Sequence, residues 1–149
     1  LVDEQARPVS GSTTTALVAS GVLRREPGAT VLHNLICSKA VPEVIAECGG
    51  RAVRTRVGHS IIKQAMLEEG AVFAGEHSGH YYFRDNYRAD SGLIAALVSK
   101  IDGEKTVAQL LDGLSSLGDE SQADQIRQTA LAALGILYVD GTVEELGRL

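Results

Sequence analysis

An α/β fold, in which a small mixed β-sheet is layered with helices, follows from three features of the sequence. Over the first hundred residues, short apolar runs alternate with stretches whose apolar residues recur at helical spacing, the order that builds layered α/β structures. Glycine or proline marks many of the junctions between them, as at Pro27-Gly28, Gly49-Gly50 and Gly70. The length of 149 residues, with 44% hydrophobic and 22% charged side chains, suits one ordinary core with a small appendage and cannot house two full catalytic domains. The organisation expected is a domain over residues 1–100 and a short, mostly helical tail or appended module over 101–149.

Element by element, Leu1 to Glu4 reads as the end of a strand, followed by a polar loop through Pro8 and Gly11. A helix is expected from Thr13 to Arg25, with a loose apolar stripe of Ala16, Leu17, Ser20, Gly21 and Leu23, stopped by Glu26-Pro27-Gly28. Thr30 to His33 is a short β-branched strand, so His33 reads as packing. Ser38 to Cys48 is a second helix with Ser38 as N-cap, Pro42 in its first turns and Gly49-Gly50 as terminator. Ala52 to Arg56 alternates as a half-buried strand. His59 to Glu69 is a helix with Ile61, Ile62, Ala65 and Met66 on one face. Ala71 to Ala74 is a strand, Tyr81-Tyr82-Phe83 another short strand or an extended rim, and Ser91 to Lys100 an apolar helix. Beyond it, Thr106 and Gln109 suit a capping box for a helix bearing Val107, Leu110, Leu111 and Leu114. A second helix with Ile126, Ala130, Leu131 and Leu134, a strand Ile136–Val139 and the turn Asp140-Gly141 follow.

Charge and cysteine usage narrow the function classes. A net charge of -5 and the lack of a long Lys/Arg block argue against nucleic acid or an anionic membrane as partner, since both need a positive field. Cys37 and Cys48 form no Cys-x-x-Cys pair and have no clustered His, so neither a metal site nor a disulfide framework is suggested. No apolar run reaches membrane-span length and no signal-peptide pattern opens the chain, which reads as soluble and cytoplasmic. Starting at Leu1 without Met, it reads as the interior of a longer protein.

Chemistry concentrates in Gly75-Glu76-His77-Ser78-Gly79-His80, which follows the apolar run Ala71 to Ala74. Glu76 can accept two sugar hydroxyls, Ser78 can donate or accept, and an imidazole can move a proton near neutral pH. Gly75 and Gly79 allow backbone angles and a close ligand approach that a β-carbon would block. Such a loop is either a polyol site with acid/base capacity or a turn whose polar side chains cap its own backbone. His77 reads as surface. Arg54, Arg56, Lys63, Arg84 and Arg88 flank the loop in sequence and could supply the positive charge that a phosphosugar needs.

The order of motifs resembles the third domain of the α-D-phosphohexomutases, the phosphomannomutase and phosphoglucomutase family, whose sugar-recognition loop has the form Gly-Glu-x-Ser-Gly-His. The resemblance extends to Val57-Gly58-His59-Ser60-Ile61-Ile62-Lys63, to Tyr81-Tyr82-Phe83-Arg84-Asp85 and to Ala89-Asp90-Ser91-Gly92. It covers the chain from Leu1 to about Ser99. By resemblance Glu76 and Ser78 bind ring hydroxyls, His80 is a candidate acid/base, His59 is a second candidate contact or a structural imidazole, and Gly75 and Gly79 shape the loop. The resemblance implies a hexose phosphate of mannose or glucose as ligand, the other mutase domains as partners, and an isomerase that moves phosphate between the 1- and 6-positions. It also implies magnesium, a phosphoserine donor and a hexose 1,6-bisphosphate activator. Many members carry a Lys where this chain has Ile36, before Cys37-Ser38, and an apolar side chain cannot replace that ammonium. The Asn34-Leu35-Ile36 form is similar to an actinobacterial phosphomannomutase-like branch.

Three loops that the family's reaction needs have no counterpart between Leu1 and Leu149: those for the phosphoserine, for magnesium and for the substrate phosphate. The expectation is a sugar-binding domain with no mutase activity on its own. The alternative is a non-catalytic binding or regulatory protein made of a mutase-derived domain and a helical interaction tail.

Overall fold

Ser10 opens the first helix: its side-chain oxygen accepts the Thr13 N–H at 3.0 Å and its carbonyl accepts the Thr14 N–H at 2.9 Å. In the computed structural model, which describes residues 5–100, this helix (α1) runs Gly11–Arg25. Then follow β1 Thr30–Asn34, α2 Ala40–Glu47, β2 Arg51–Thr55, α3 His59–Glu68, β3 Phe73–Gly75, β4 Tyr81–Phe83, a single 3₁₀ turn Arg84–Asn86, and α4 Gly92–Lys100. The expected strand at Leu1–Glu4 and the expected tail elements lie outside the described residues.

The sheet has the order β2-β1-β3-β4, with β2, β1 and β3 mutually parallel and β4 antiparallel to β3, so the mixed α/β sheet expected from the sequence is what forms. Side chains alternate across it as the pleat requires. Val31, Phe73, Tyr81 and Phe83 pack with Val18, Ala19 and Leu23 of α1, Val41 and Ile45 of α2, and Ile94, Ala95 and Val98 of α4. Leu32, Ala74 and Tyr82 face the other way, against Ile62 and Met66 of α3. The sheet is therefore sandwiched between α1, α2 and α4 on one side and α3 on the other. Every residue of central β1 is buried, including His33 and Asn34.

Several expected details shift, each for a physical reason. The first helix begins at Gly11, two residues before the expected Thr13, because Ser10 rather than a later hydroxyl supplies the cap. Its buried face includes Val18 and Ala19, whereas Leu17 from the expected stripe is 49% exposed. The second helix is shorter than Ser38–Cys48: Lys39 is the N-cap without a side-chain bond, while Ser38 Oγ still accepts the Ala40 N–H at 3.3 Å. In α3 only Ile62 and Met66 are buried. Ile61 is 36% exposed, since it sits on the flank of a helix that covers the sheet with one narrow face. Strand β2 is a sheet edge whose burial does not alternate cleanly. Strand β3 starts at Phe73, two residues after the expected Ala71, although Val72 already bonds both neighbouring strands, its N–H donating to Thr30 O and its carbonyl accepting from Arg84 N–H.

His33 illustrates the cost of a titratable group in a central strand. Burial lowers its pKa from the ordinary 6.5, its bond to the Asn34 carbonyl opposes that, and the nearby Arg54 charge adds to the lowering. Because the folded-state value is depressed, the unfolded chain binds the proton more readily, so folding stability holds above about pH 6.5 and declines as pH falls below it towards the folded value. Urea titrations between pH 7.5 and 5 should show a shallower decline in His33→Leu than in the native sequence; an identical slope would contradict this assignment.

Candidate functional site

Glu76 is the first residue past β3, Asn34 the last residue of β1, and His59 the first residue of α3, so the carboxyl ends of the parallel strands deliver all three to one edge of the sheet. In open α/β sheets this is the edge where ligands bind. Glu76 is only 2% exposed. A buried carboxylate is tolerated when donors surround it, and here they do. Its Oε1 accepts from Asn34 Nδ2 at 3.2 Å and from the Gly58 N–H at 3.4 Å, and its Oε2 accepts the Tyr82 hydroxyl at 2.9 Å. Two carboxylate oxygens offer about four acceptor directions. Three are taken, which leaves Glu76 room for one further donor rather than the two hydroxyls expected from the sequence.

The loop beyond Glu76 is a closed turn. Glu76 N–H donates to the His80 carbonyl at 2.9 Å, and Gly79 N–H donates to the Glu76 carbonyl at 3.0 Å. Gly79 has φ +90°, a conformation that side-chain-bearing residues rarely adopt, with open space where a β-carbon would stand. Gly75 is required by packing: a β-carbon there would collide with the Thr15 side chain of α1. At the tip, Ser78 is exposed and its hydroxyl makes no hydrogen bond among the described residues. His77, expected to be mere surface, is exposed but tethered. Its Nδ1 lies 2.9 Å from Ser12 Oγ, and its N–H donates to Asn34 Oδ1 at 3.4 Å. Ser12 Oγ also accepts the Ser38 N–H at 3.0 Å, tying α1, the loop and the entry to α2 together.

Two imidazoles stand beside this loop. His59 and His80 meet edge to face with centroids 4.5 Å apart. His80 Nδ1 is 2.6 Å from Asp90 Oδ2, while Asp90 Oδ1 accepts the Tyr81 N–H at 2.8 Å, so one carboxylate fixes both the ring and the start of β4. His59 Nδ1 is 2.6 Å from the Tyr82 hydroxyl. Burial, and then the Glu76 carboxylate beside it, push the Tyr82 phenol well above its ordinary value, so it keeps its proton throughout the physiological range. Burial likewise pushes up the half-buried Cys37 thiol, whose Sγ lies 3.8 Å from the Gly75 carbonyl.

Of the flanking cations, Lys63 has its Nζ 5.8 Å from the Tyr82 ring centroid, one helical turn along α3 from His59. Arg84 is held by Glu26 and Asp85, and Arg54 donates to the Leu35 carbonyl. Ile36 is 58% exposed and Leu35 and Val57 are about half exposed, which gives the strand-end rim an apolar character. Among the described residues, no three His, Cys, Asp or Glu side chains converge to hold a metal ion. The sequence reading missed Asn34, Tyr82 and Asp90 as site residues. The parallel pairing of β1 with β3 brings in Asn34, the pairing of β4 with β3 brings in Tyr82, and a bridge to Tyr82 brings in Asp90; none belongs to the loop motif.

The fold and site define a three-layer α/β domain with a polar, glycine-flanked loop at the carboxyl ends of parallel strands. Residues 10–116 match the family model for the phosphoglucomutase/phosphomannomutase α/β/α domain III, and the chain belongs to that family. It is 42% identical over 95 residues to a phosphomannomutase of Methanocaldococcus jannaschii, covering 64% of this chain and 21% of that protein. To a phosphomannomutase of Escherichia coli it is 34% identical over 135 residues, covering 91% of this chain and 27% of the other. A solved phosphoglucomutase/phosphomannomutase family protein from Burkholderia thailandensis superposes with a TM-score of 0.61 at 34% identity, over 66% of this chain and 22% of that one. The chain thus spans roughly a fifth to a quarter of the length of its relatives.

The Asn34 amide both donates to Glu76 and accepts from the loop, so Asn34→Asp places a second carboxylate against Glu76. We expect a loss of about 1–3 kcal/mol relative to the native sequence at pH 7, shrinking towards acid pH as protonation of the introduced carboxylate restores a donor. Urea titration at pH 7 and at about pH 4, near the ordinary carboxyl range, checks this; a penalty that does not shrink at low pH would contradict it.

Proposed function

We propose that this domain grips the hexose ring of a hexose phosphate, mannose or glucose 1- or 6-phosphate, during the phosphate transfer catalysed by a phosphohexomutase. The observation that carries the reading is the company the loop keeps. A Glu76 carboxylate with one acceptor direction left is followed, in a loop of the family's form, by a Ser78 hydroxyl that is unbonded among the described residues and by His80, whose ring packs on His59. Ser78 and the remaining Glu76 direction would meet ring hydroxyls. His80, with Nδ1 held by Asp90, would present its other nitrogen to a proton in transit. Lys63 is the cation best placed to approach a phosphate in place of the ammonium that Ile36 lacks.

Catalysis as an isomerase belongs to the whole mutase. In that reading magnesium supplies charge neutralisation at the transferring phosphoryl group when bound. Magnesium, the phosphoserine and the activator hexose 1,6-bisphosphate are assigned to residues other than those described, in a cytoplasmic enzyme. The contribution of this domain is to hold the sugar in either of two orientations, which suits short polar groups that recognise paired hydroxyls.

Calorimetric titration of the chain with mannose 6-phosphate and glucose 6-phosphate tests the reading. Saturable binding, weakened about 3- to 10-fold by Ser78→Ala as expected for one lost hydrogen bond, is the predicted result. Absence of binding at millimolar ligand, or binding unchanged in the Ser78→Ala, His80→Ala double variant, would overturn it.

A further inference from the structure

We infer that Tyr82 is a positioning residue that locks His59 in the tautomer with hydrogen on Nδ1, leaving its Nε2 as a proton acceptor. Counting hydrogens fixes the direction. The Tyr82 hydroxyl has a single hydrogen and two neighbours, Glu76 Oε2 at 2.9 Å and His59 Nδ1 at 2.6 Å. The carboxylate oxygen can only accept, so it takes that hydrogen. The Tyr82 oxygen is then left as an acceptor, and the short contact to His59 is a hydrogen bond only if Nδ1 carries the donor. The relay runs one way, from His59 Nδ1–H to Tyr82 Oη–H to Glu76.

Its anchor is rigid. Glu76 and Tyr82 are buried, and Asn34 Nδ2 and the Gly58 N–H hold the far carboxylate oxygen. The upward shift of the Tyr82 phenol, from burial and then from Glu76, agrees with a hydroxyl that keeps its proton and donates it to the carboxylate. His59 itself is exposed, and its Nε2 has no partner among the described residues. When that Nε2 takes a proton from a ligand hydroxyl as the hydroxyl oxygen bonds to the phosphorus of a transferring phosphoryl group, whose former bond breaks, the imidazolium forms without breaking either bond of the relay, and the buried carboxylate offsets the new charge through the phenol. His80 beside it has a different arrangement, with a carboxylate directly on Nδ1. The two neighbouring rings are thus one insulated from, and one in contact with, their counter-charge.

What Nε2 meets depends on the sugar-phosphate reading given above. The relay does not, so its test needs no ligand. Two-bond ¹⁵N–¹H correlation spectra of the full chain near pH 8, where an ordinary imidazole is neutral, read the tautomer of each histidine directly. The native protein should show His59 protonated at Nδ1. In Glu76→Gln, Asn34 and Gly58 still hold the amide oxygen, so the amide nitrogen must face Tyr82 and donate to it. The Tyr82 hydrogen then turns to His59 Nδ1, and the ring should switch to the Nε2–H form. Tyr82→Phe should give the same switch. A native His59 protonated at Nε2, or one whose tautomer is unchanged in folded Glu76→Gln, would overturn the relay. Should a variant fail to fold, the native spectrum alone still decides. Failure here leaves calorimetric sugar-phosphate binding untouched, and failure there leaves the tautomer standing.

Discussion

The carboxylate of Glu76, buried at the end of β3, is the interaction on which the rest of the site depends. A charge in that position has to recruit donors or be expelled, and the donors it recruits come from three different parts of the chain. Asn34 ends β1, Gly58 opens α3, and Tyr82 lies in β4. Meeting one carboxylate fixes how the loops after β1, β2 and β3 sit relative to each other. The hub therefore links the geometry of the strand ends to the two imidazoles and the serine that remain available for chemistry.

The layers of the fold explain why this hub forms where it does. Alternation along β4 sends Tyr81 and Phe83 into the core beneath α1 and α4 but turns Tyr82 towards α3, whose first residue is His59. The same pleat buries Asn34 at the end of a strand covered on both faces. On the opposite side, Ser12 at the start of α1 ties His77 to Ser38, so the loop is gripped from both layers of helices. Around the loop, the Ser78 hydroxyl and one nitrogen on each of His59 and His80 have no hydrogen-bond partner among the described residues, and Lys63 lies along the next turn of helix.

The α/β architecture and the central loop are legible in the sequence because both are written in local patterns: glycine punctuation, helical spacing, and a motif with fixed positions. Local patterns are less informative wherever partners are distant along the chain. Asn34 looks like an ordinary strand end, Tyr82 like an apolar strand residue and Asp90 like a turn residue, until β3–β4 pairing and the parallel crossover set them around Glu76 and His80. Helix faces are misjudged for a related reason. Leu17 and Ile61 satisfy the helical period, yet they fall outside the faces that are covered: α3 buries only Ile62 and Met66, and α1 buries the face that carries Val18, Ala19 and Leu23. The one chemical misreading concerns capacity. Glu76 is expected from the sequence to offer both oxygens to a sugar, and most of its acceptor directions are spent on the protein itself.

If one carboxylate is the hub, residues that do not touch each other must be coupled through it. Asn34 and Tyr82 bond opposite oxygens of Glu76, so the most direct measurement is a double-mutant cycle between Asn34→Ala and Tyr82→Phe, read as folding free energy in urea. The predicted interaction energy is about 0.5 kcal/mol or more, because removing one donor changes what the other is worth to the same buried charge. Additivity within about 0.3 kcal/mol would mean that the two act independently and that Glu76 does not organise the site.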